Sequence, residues 1–337
     1  MSRSAIGRWL LVWAVMVALA VVIGGVTRLT ESGLSITEWR PVRGVLPPIG
    51  QAAWEAEFAK YREIPEFRLE APDMTLAGFK RIFFWEYLHR LWARVVGLAI
   101  AIPGLIGLAR GWFPRPVRGR VMAMGFLTLA QGALGWFMVM SGLSQRTDVS
   151  QYRLAAHLSL ALVLFCLAVW TAADLLSRPG RVPWALALRR HAWVTLITVA
   201  VTIVAGAFVA GTNAGKVYNT WPLMAGRVFP QGYFRLEPWW VNPFDNVIAV
   251  QFNHRWLAAL TLVTAAALGW RILRGGGGGL GWVLLAVAAG QFLLGLGTLL
   301  WSVPVLVAAF HQAGAVALLG LALLALHRTR AAGPPSP

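Results

Sequence analysis

The chain reads as an all-α integral membrane protein, with eight transmembrane helices forming two four-helix bundles related by a pseudo-twofold axis. Composition, the spacing of apolar segments and an internal repeat lead there. Of 337 residues, 58% are hydrophobic and only 13% charged, with 18 Trp; this is too apolar for an ordinary water-soluble domain. Apolar runs of spanning length lie at about 9–27, 87–109, 119–142, 153–177, 191–212, 247–270, 280–301 and 304–326. The last two are divided only by a tight turn at Ser302, Val303 and Pro304.

The first run ends in Gly24-Gly25-Val26-Thr27-Arg28 without a small-x-small cleavage site, so it is expected to be retained as a span. Only eight residues precede it, too few for a mitochondrial transit peptide. The formal charge of +17 raises the question of a nucleic acid partner, but its distribution answers it. Basic residues including Arg115, Arg118, Arg178, Arg181, Arg271 and Arg330 fall in segments on one side of the expected topology, and Asp174 is the acid among them. The opposite loops carry nearly balanced charge, with acids such as Glu55, Glu57, Glu63 and Glu66 gathered in the first. This positive-inside asymmetry places both termini in the cytoplasm; basicity reports orientation in a bilayer, not binding of nucleic acid. A bacterial inner membrane is the expected home. Cys166, the single cysteine, falls inside the fourth span and excludes an intramolecular disulfide.

The long loop from about 28 to 82 holds Trp54, Phe58 and Tyr61 at helical spacing, interleaved with charge. That pattern predicts a short amphipathic helix on the outer surface. Its counterpart at 213–246 is rich in Trp, Pro, Gly and Asn, with Trp239 and Trp240 suited to anchor at the interface. The run Gly275 to Gly279 is a linker.

These loops belong to a repeat. Gly33, Trp39, Gly44 and Pro47 follow the first span, and Gly215, Trp221, Gly226 and Pro230 follow the fifth. Gln131 and Gly135 answer Gln291 and Gly295; His89 answers His254; His157 answers His311. Four spans per repeat is an even number, so both halves enter the membrane in the same sense. The expected domains are 1–180 and 181–337.

His89, His157, His254 and His311 all fall near the outer ends of even-numbered spans, in one shallow layer. One histidine in a membrane helix is as often structural as ligating, but four at one depth in two equivalent pairs point to metal. Two imidazoles facing each other across a bundle are the usual axial ligands of a haem, and intramembrane ionisable groups carry a functional reading by default. His191 and His327 lack repeat partners and read as interface residues. Arg90 and Arg255 follow the first histidine of each pair; they suit haem propionates and equally suit snorkelling to the interface. Arg94 and Arg153 are weaker candidates.

The string WEYLHR at 85–90 places Glu86 on the helical face of His89, while its echo QFNHR at 251–255 has Gln251 there. A carboxylate present in one half only implies a role needed once, such as taking protons from water or stabilising positive charge on an oxidised carbon. The E-x-x-H spacing also occurs in di-iron carboxylate bundles, but too few other intramembrane carboxylates exist to build one.

The strings GGVTRLTESGLSITEWRPVRGVLPP at 24–48, EYLHR at 86–90, SGLSQRTDVSQYRLAAHLSLAL at 141–162, AGTNAGKVYNTWPLMAGRVFP at 210–230 and QFNHR at 251–255 resemble the haem A synthase family along all eight spans. The resemblance implies oxidation of the C8 methyl of haem o to the formyl of haem a by successive hydroxylations, for haem-copper terminal oxidases. It makes His89 and His157 the ligands of the substrate haem with Arg90 beside them, and Glu86 the catalytic carboxylate. His254 and His311, with Arg255, become the site of a resident haem b that relays electrons to an acceptor the sequence does not identify. Haem o synthase and terminal-oxidase assembly factors are the implied partners beside the lipid bilayer, and homo-oligomerisation is left open. Some bacterial members carry an outer-loop cysteine pair, which this chain lacks. Two other readings stay open at this point: a bis-histidine two-haem electron carrier, which would ordinarily place its haems near opposite faces, and a parallel-repeat transporter with proton-relaying histidines.

Overall fold

A computed structural model describes residues 1–40, 43–144, 146–177 and 186–329. Arg178, Arg181 and Arg330 of the basic pattern, and the expected boundary at 180/181, lie outside the described residues. The described chain is built from helices α1 (Arg3–Leu29), α2 (Gln51–Tyr61), α3 (Pro65–Glu70), α4 (Leu76–Ala109), α5 (Arg115–Met140), α6 (Gln151–Leu176), α7 (Leu186–Gly211), α8 (Asn242–Asp245), α9 (Val247–Arg274), α10 (Gly279–Leu300) and α11 (Val305–Arg328). Eight of them, α1, α4, α5, α6, α7, α9, α10 and α11, are long and apolar enough to cross a membrane. This matches the eight expected spans and a multi-pass membrane protein. The chain divides into two compact units, Met16–Ala161 and Leu162–Pro337 with Met1–Val15.

In the unit Met16–Ala161, α4 begins well before the apolar run that announced it. Thr75 caps its first turn by accepting from the Gly78 amide at 3.2 Å, and Lys80 and Arg81 then interrupt the hydropathy. What holds this extra length is aromatic. Phe79 and Phe83 are buried against the apolar side of α2, with ring centroids 5.1 Å apart for Phe58 and Phe79, 5.3 Å for Tyr61 and Phe79 and 5.0 Å for Trp54 and Phe83. The amphipathic helix expected on the surface therefore exists, but its aromatic side is packed on α4 and α3. Edge-to-face and offset rings at these separations stabilise by about 0.5–1.5 kcal/mol per pair beyond area burial.

In the other unit, α7 packs on α9, α9 on α10, α10 on α11 and α11 back on α7, closing a four-helix bundle. The turn between α10 and α11 is tight because Ser302 and Val303 both adopt left-handed backbone, at φ 58° and 65°, and the Val303 amide reaches back to the Thr298 carbonyl at 2.8 Å. A β-branched residue there is strained. Gly215 gives it room: a Cβ at that position would lie 3.0 Å from Val303 Cγ2. The loop before α9 is tied by two buried asparagines. Asn242 bridges the Leu236 amide and carbonyl at 2.9 and 2.8 Å, and Asn246 caps α9 through the Ile248 amide at 3.0 Å.

The loop above α4 contains a carboxyl placed out of water. Glu66 on α3 is buried, and burial pushes its carboxyl up to about 8 against the opposing hydrogen bond from Tyr61 Oη at 3.2 Å; Asp148, Glu31 and Glu70 add to the rise. A carboxyl raised in the folded state contributes stability that is full below its ordinary value of 4.5 and lost as pH climbs through about 8. The loop should loosen over that window. Amide hydrogen exchange in α3, corrected for intrinsic chemistry, is expected to be faster at about pH 9 than at about pH 6, and Glu66→Gln should abolish the difference; an unchanged pH dependence in that variant would refute the assignment.

Candidate functional site

Each of the four core histidines rests on a glycine of a neighbouring helix. A Cβ added at Gly24 of α1 would lie 3.0 Å from His89 Nε2, and one at Gly135 of α5 would lie 2.8 Å from His157 Cε1. The same additions at Gly206 of α7 and Gly295 of α10 would come within 3.1 Å of His254 Cε1 and 2.8 Å of His311 Cε1. Glycine inside a helix is destabilising by roughly 0.5–1 kcal/mol relative to alanine, so four used in one way indicate that these imidazoles must lie flush against backbone. All four histidines are half-buried.

The notches also bring ring nitrogens to carbonyls. His254 Nδ1–H donates to the Thr202 carbonyl at 3.2 Å; a carbonyl only accepts, which fixes its proton on Nδ1 and leaves Nε2 with a free lone pair. His311 Nδ1 lies 3.1 Å from both the Gln291 carbonyl and Gln291 Nε2, so Gln291 holds the ring from both its backbone and its side chain. In the other unit Gln131 Nε2 donates to the His157 carbonyl at 3.0 Å, and His157 Nδ1 is buried with no hydrogen-bond partner. His89 and His157 belong to one compact unit, His254 and His311 to the other.

Beside the first histidine of each pair the two units build the same strut. Arg90 donates to the Ile36 carbonyl at 2.7 Å and to the Glu38 carbonyl at 2.9 Å. Arg255 donates to Tyr218 at 2.5 Å and to Thr220 at 2.6 Å, the repeat counterparts of Ile36 and Glu38. Both arginines thus clamp the loop that follows the preceding span, a task that neither snorkelling nor haem carboxylates had supplied. Arg94 and Arg153 likewise donate to carbonyls, of Arg40 at 2.9 Å and Phe137 at 2.6 Å. Within the strut the halves differ at one position. Gln251 is buried, donates to the Tyr218 carbonyl at 3.1 Å and accepts from Arg255 at 3.3 Å. Glu86, equally buried, can only accept, and takes Arg90 Nε at 2.5 Å.

These residues fit a haem held in each unit. Half-buried histidines lie among apolar helices, His254 and His311 are held at Nδ1 by the neighbouring helix, which leaves Nε2 for a metal, and His157 keeps an unpartnered buried Nδ1 while Gln131 Nε2 lies 3.4 Å from its Nε2. Among the described residues no cluster of three or more His, Cys, Asp or Glu converges on a metal ion. His327 accepts no such role: its Nε2 pairs with Asp174 at 2.8 Å. His191 bonds the Thr264 carbonyl at 3.0 Å. Gly24 and Gly206 were not singled out in the sequence, although both stand at one distance ahead of the repeated Gly33 and Gly215.

Residues 7–323 match COX15-CtaA, described as cytochrome oxidase assembly protein. The chain belongs to this family. Its relatives include the "Heme A synthase" of Rhodospirillum centenum, 47% identical over 98% of this chain and 89% of that protein. The "Heme A synthase" of Parvibaculum lavamentivorans is 45% identical over 97% of this chain and 95% of its own length, and the human "Heme A synthase COX15" is 46% identical over 98% and 83%. Similarity that continuous carries the fold of the COX15-CtaA family across both histidine pairs.

The notches predict separable defects. Gly135→Ala should displace His157, and Gly295→Ala should displace His311, each lowering the haem content of its own unit by about 10-fold or more while leaving the other intact. Haem-to-protein ratios of the purified variants, with absorption spectra distinguishing the two sites, check this; equal loss from both units in either variant would refute it.

Proposed function

We propose that this chain is a haem A synthase, which oxidises the C8 methyl of haem o to the formyl of haem a for use by haem-copper terminal oxidases. The observation that carries the reading is the buried Glu86 carboxylate on the helical face of His89, at the one place where the otherwise matching strut of the second unit holds Gln251. A two-haem electron carrier has no use for that difference.

The N-terminal half, 1–180, binds haem o as substrate through His89 and His157. The C-terminal half, 181–337, holds a resident haem b between His254 and His311, which when bound supplies a one-electron redox centre. Arg90 and Arg255 brace the loops over the two sites, and each guanidinium keeps N–H donors beyond those committed to the loop, which suit haem carboxylates. Overall the methyl carbon gains an oxygen from water and loses four electrons and four protons, reaching the formyl through two hydroxylations and loss of water. Glu86 is the base in that scheme. Arg90 fixes one carboxylate oxygen, and Oε2 takes the proton from water as its oxygen bonds to the oxidised carbon. The fixed negative charge also favours positive charge developing on that carbon. The four electrons go to an external acceptor.

The basic asymmetry of the loops supports a bacterial inner membrane location with both termini cytoplasmic and both histidine pairs toward the outer face. Haem o synthase as donor and terminal-oxidase assembly factors as recipients are the partners this role requires.

Glu86→Gln is the decisive variant, because the second unit shows that glutamine at this place is compatible with the strut. Expressed with a supply of haem o, it should retain haem and insert normally, yet form haem a at least about 100-fold more slowly, the scale of losing a positioned acid-base group. Mass analysis of extracted haems measures this. Normal haem a formation by the variant would remove Glu86 from the chemistry, and failure of the unaltered chain to convert haem o would overturn the enzyme reading.

A further inference from the structure

The roles assigned so far leave unused a stripe of threonines that joins α7 to α9. Thr202 Oγ1 lies 2.8 Å from Thr261 Oγ1, Thr198 Oγ1 lies 3.1 Å from Thr264 Oγ1, and Thr195 Oγ1 donates to the Thr264 carbonyl at 3.3 Å. At the far end, His191 Nε2–H donates to the same carbonyl at 3.0 Å, while its Nδ1 accepts from Arg271 at 3.2 Å. At the near end, the Thr202 carbonyl accepts from His254 Nδ1–H. Thr195 is fully buried and Thr261 nearly so. Thr198, Thr202 and Thr264 also donate to carbonyls of their own preceding turns, of Thr195 at 3.0 Å, Thr198 at 2.7 Å and Thr261 at 3.2 Å, as threonines in membrane helices do. What own-turn bonding does not account for is their matching in pairs across two helices, with Thr261 left to donate to Thr202, in a line that ends on a ligand-type imidazole.

The repeat supplies a comparison. Counterparts of the α7 threonines on α1 are Trp13, Met16 and Ala20, and those of Thr261 and Thr264 on α4 are Val96 and Ala99. None has a hydroxyl. In the unit Met16–Ala161, α1 and α4 are joined differently, by Trp92 Nε1 to the Met16 carbonyl at 2.9 Å and Thr27 Oγ1 to the Trp85 carbonyl at 3.3 Å. The stripe belongs to one half alone, the half with glutamine in place of the carboxylate.

We propose that the threonine stripe is a positioning device for His254: it fixes the register of α7 on α9, so that the Thr202 carbonyl stays on Nδ1 and sets the ring's orientation and donor strength toward a permanently bound haem. This rests on the reading of His254 and His311 as haem ligands. An imidazole whose remote N–H is held by a carbonyl is a more basic ligand. It favours ferric over ferrous iron and keeps the reduction potential low, which suits a centre that must pass electrons onward. Thr198, Thr202, Thr261 and Thr264 are positioning residues here, acting through His254.

The test replaces Thr198 and Thr261 together by valine in the full-length chain, purified with its haems. This isosteric change removes one partner from each hydroxyl pair and leaves the Thr202 carbonyl in place. Loss of such outer contacts weakens a metal site by about 10–100-fold. A tenfold weaker hold on ferric than on ferrous haem raises the midpoint by about 59 mV. The T198V/T261V chain should show that rise at the resident haem, together with about 10-fold faster haem transfer to apomyoglobin; serine at both positions should restore both values. Thr128→Val, whose hydroxyl only bonds its own helix at the Met124 carbonyl, should change neither. If the double variant does not insert, Thr261→Val alone should give a smaller shift of the same sign. An unchanged midpoint and transfer rate in correctly inserted valine variants, or serine variants as shifted as valine, would overturn the proposal. Full haem retention by His254→Ala would instead overturn the underlying ligand reading.

Discussion

In an apolar slab, a helix satisfies its own backbone, so an imidazole entering from a neighbour must find a carbonyl that can accept a second bond. Helical side chains tilt toward the N-terminus, which places the side chain of residue i+4 over the carbonyl of residue i. Removing that side chain uncovers the carbonyl. Gly206 stands four residues after Thr202, and Gly295 four residues after Gln291; these are the two carbonyls that hold His254 and His311. Gly135 stands in the same relation to Gln131, whose side chain grips the His157 carbonyl. The glycines are thus not incidental small residues at a helix crossing. They are what allows the rings of His254 and His311 to reach the backbone of the next helix, and at Gly24 and Gly135 they leave room for His89 and His157 to lie against it.

A second constraint acts at the ends of the spans. Each long loop returns over its histidine, and its carbonyls need donors. One arginine in each unit supplies them at equivalent carbonyls, Ile36 and Glu38 in one, Tyr218 and Thr220 in the other. Hydrogen bonds to charged donors are worth about 1.5–3 kcal/mol, so the strut is strong enough to survive a change beside it. Gln251 adds a further donor to this arrangement, whereas Glu86 withdraws one and introduces a negative charge against Arg90. The carboxylate is not needed to hold the loop, since the glutamine half manages without it. That makes its burial explicable by chemistry rather than by folding.

Much of this was legible beforehand because the signals were periodic or duplicated. Hydropathy marks eight spans, and the repeat pairs His89 with His254 and His157 with His311. Two features escaped for identifiable reasons. The outward extension of α4 was hidden by Lys80 and Arg81, whose charges break an apolar window although Phe79 and Phe83 on the same helix are buried. The arginine struts were hidden because their partners are backbone carbonyls, which have no sequence identity. Gln131 and Gln291 stand out as repeat partners, yet nothing in one dimension tells that each lies against a histidine of the next long helix, 26 and 20 residues on. Gly24 and Gly206 could have been found by extending the repeat backwards from Gly33 and Gly215.

The differences between the halves bear on turnover. Haem o and haem a differ at a ring substituent and present the same iron to axial ligands, so a site that grips its substrate through two strong iron–imidazole bonds grips the product just as firmly. Release then requires that the bonds be individually weak. His157 is touched at Nε2 only by Gln131 Nε2 at 3.4 Å and has no protein partner on Nδ1, so its ring is held less firmly than one bonded at a nitrogen to the neighbouring helix. His254 and His311 are both bonded at Nδ1 in that way, the firmer arrangement and the one suited to a group that stays. Within two units built on one pattern, the carboxylate and the less firmly held histidine fall on the same side, as the proposed function requires of a site that must exchange its haem as well as oxidise it.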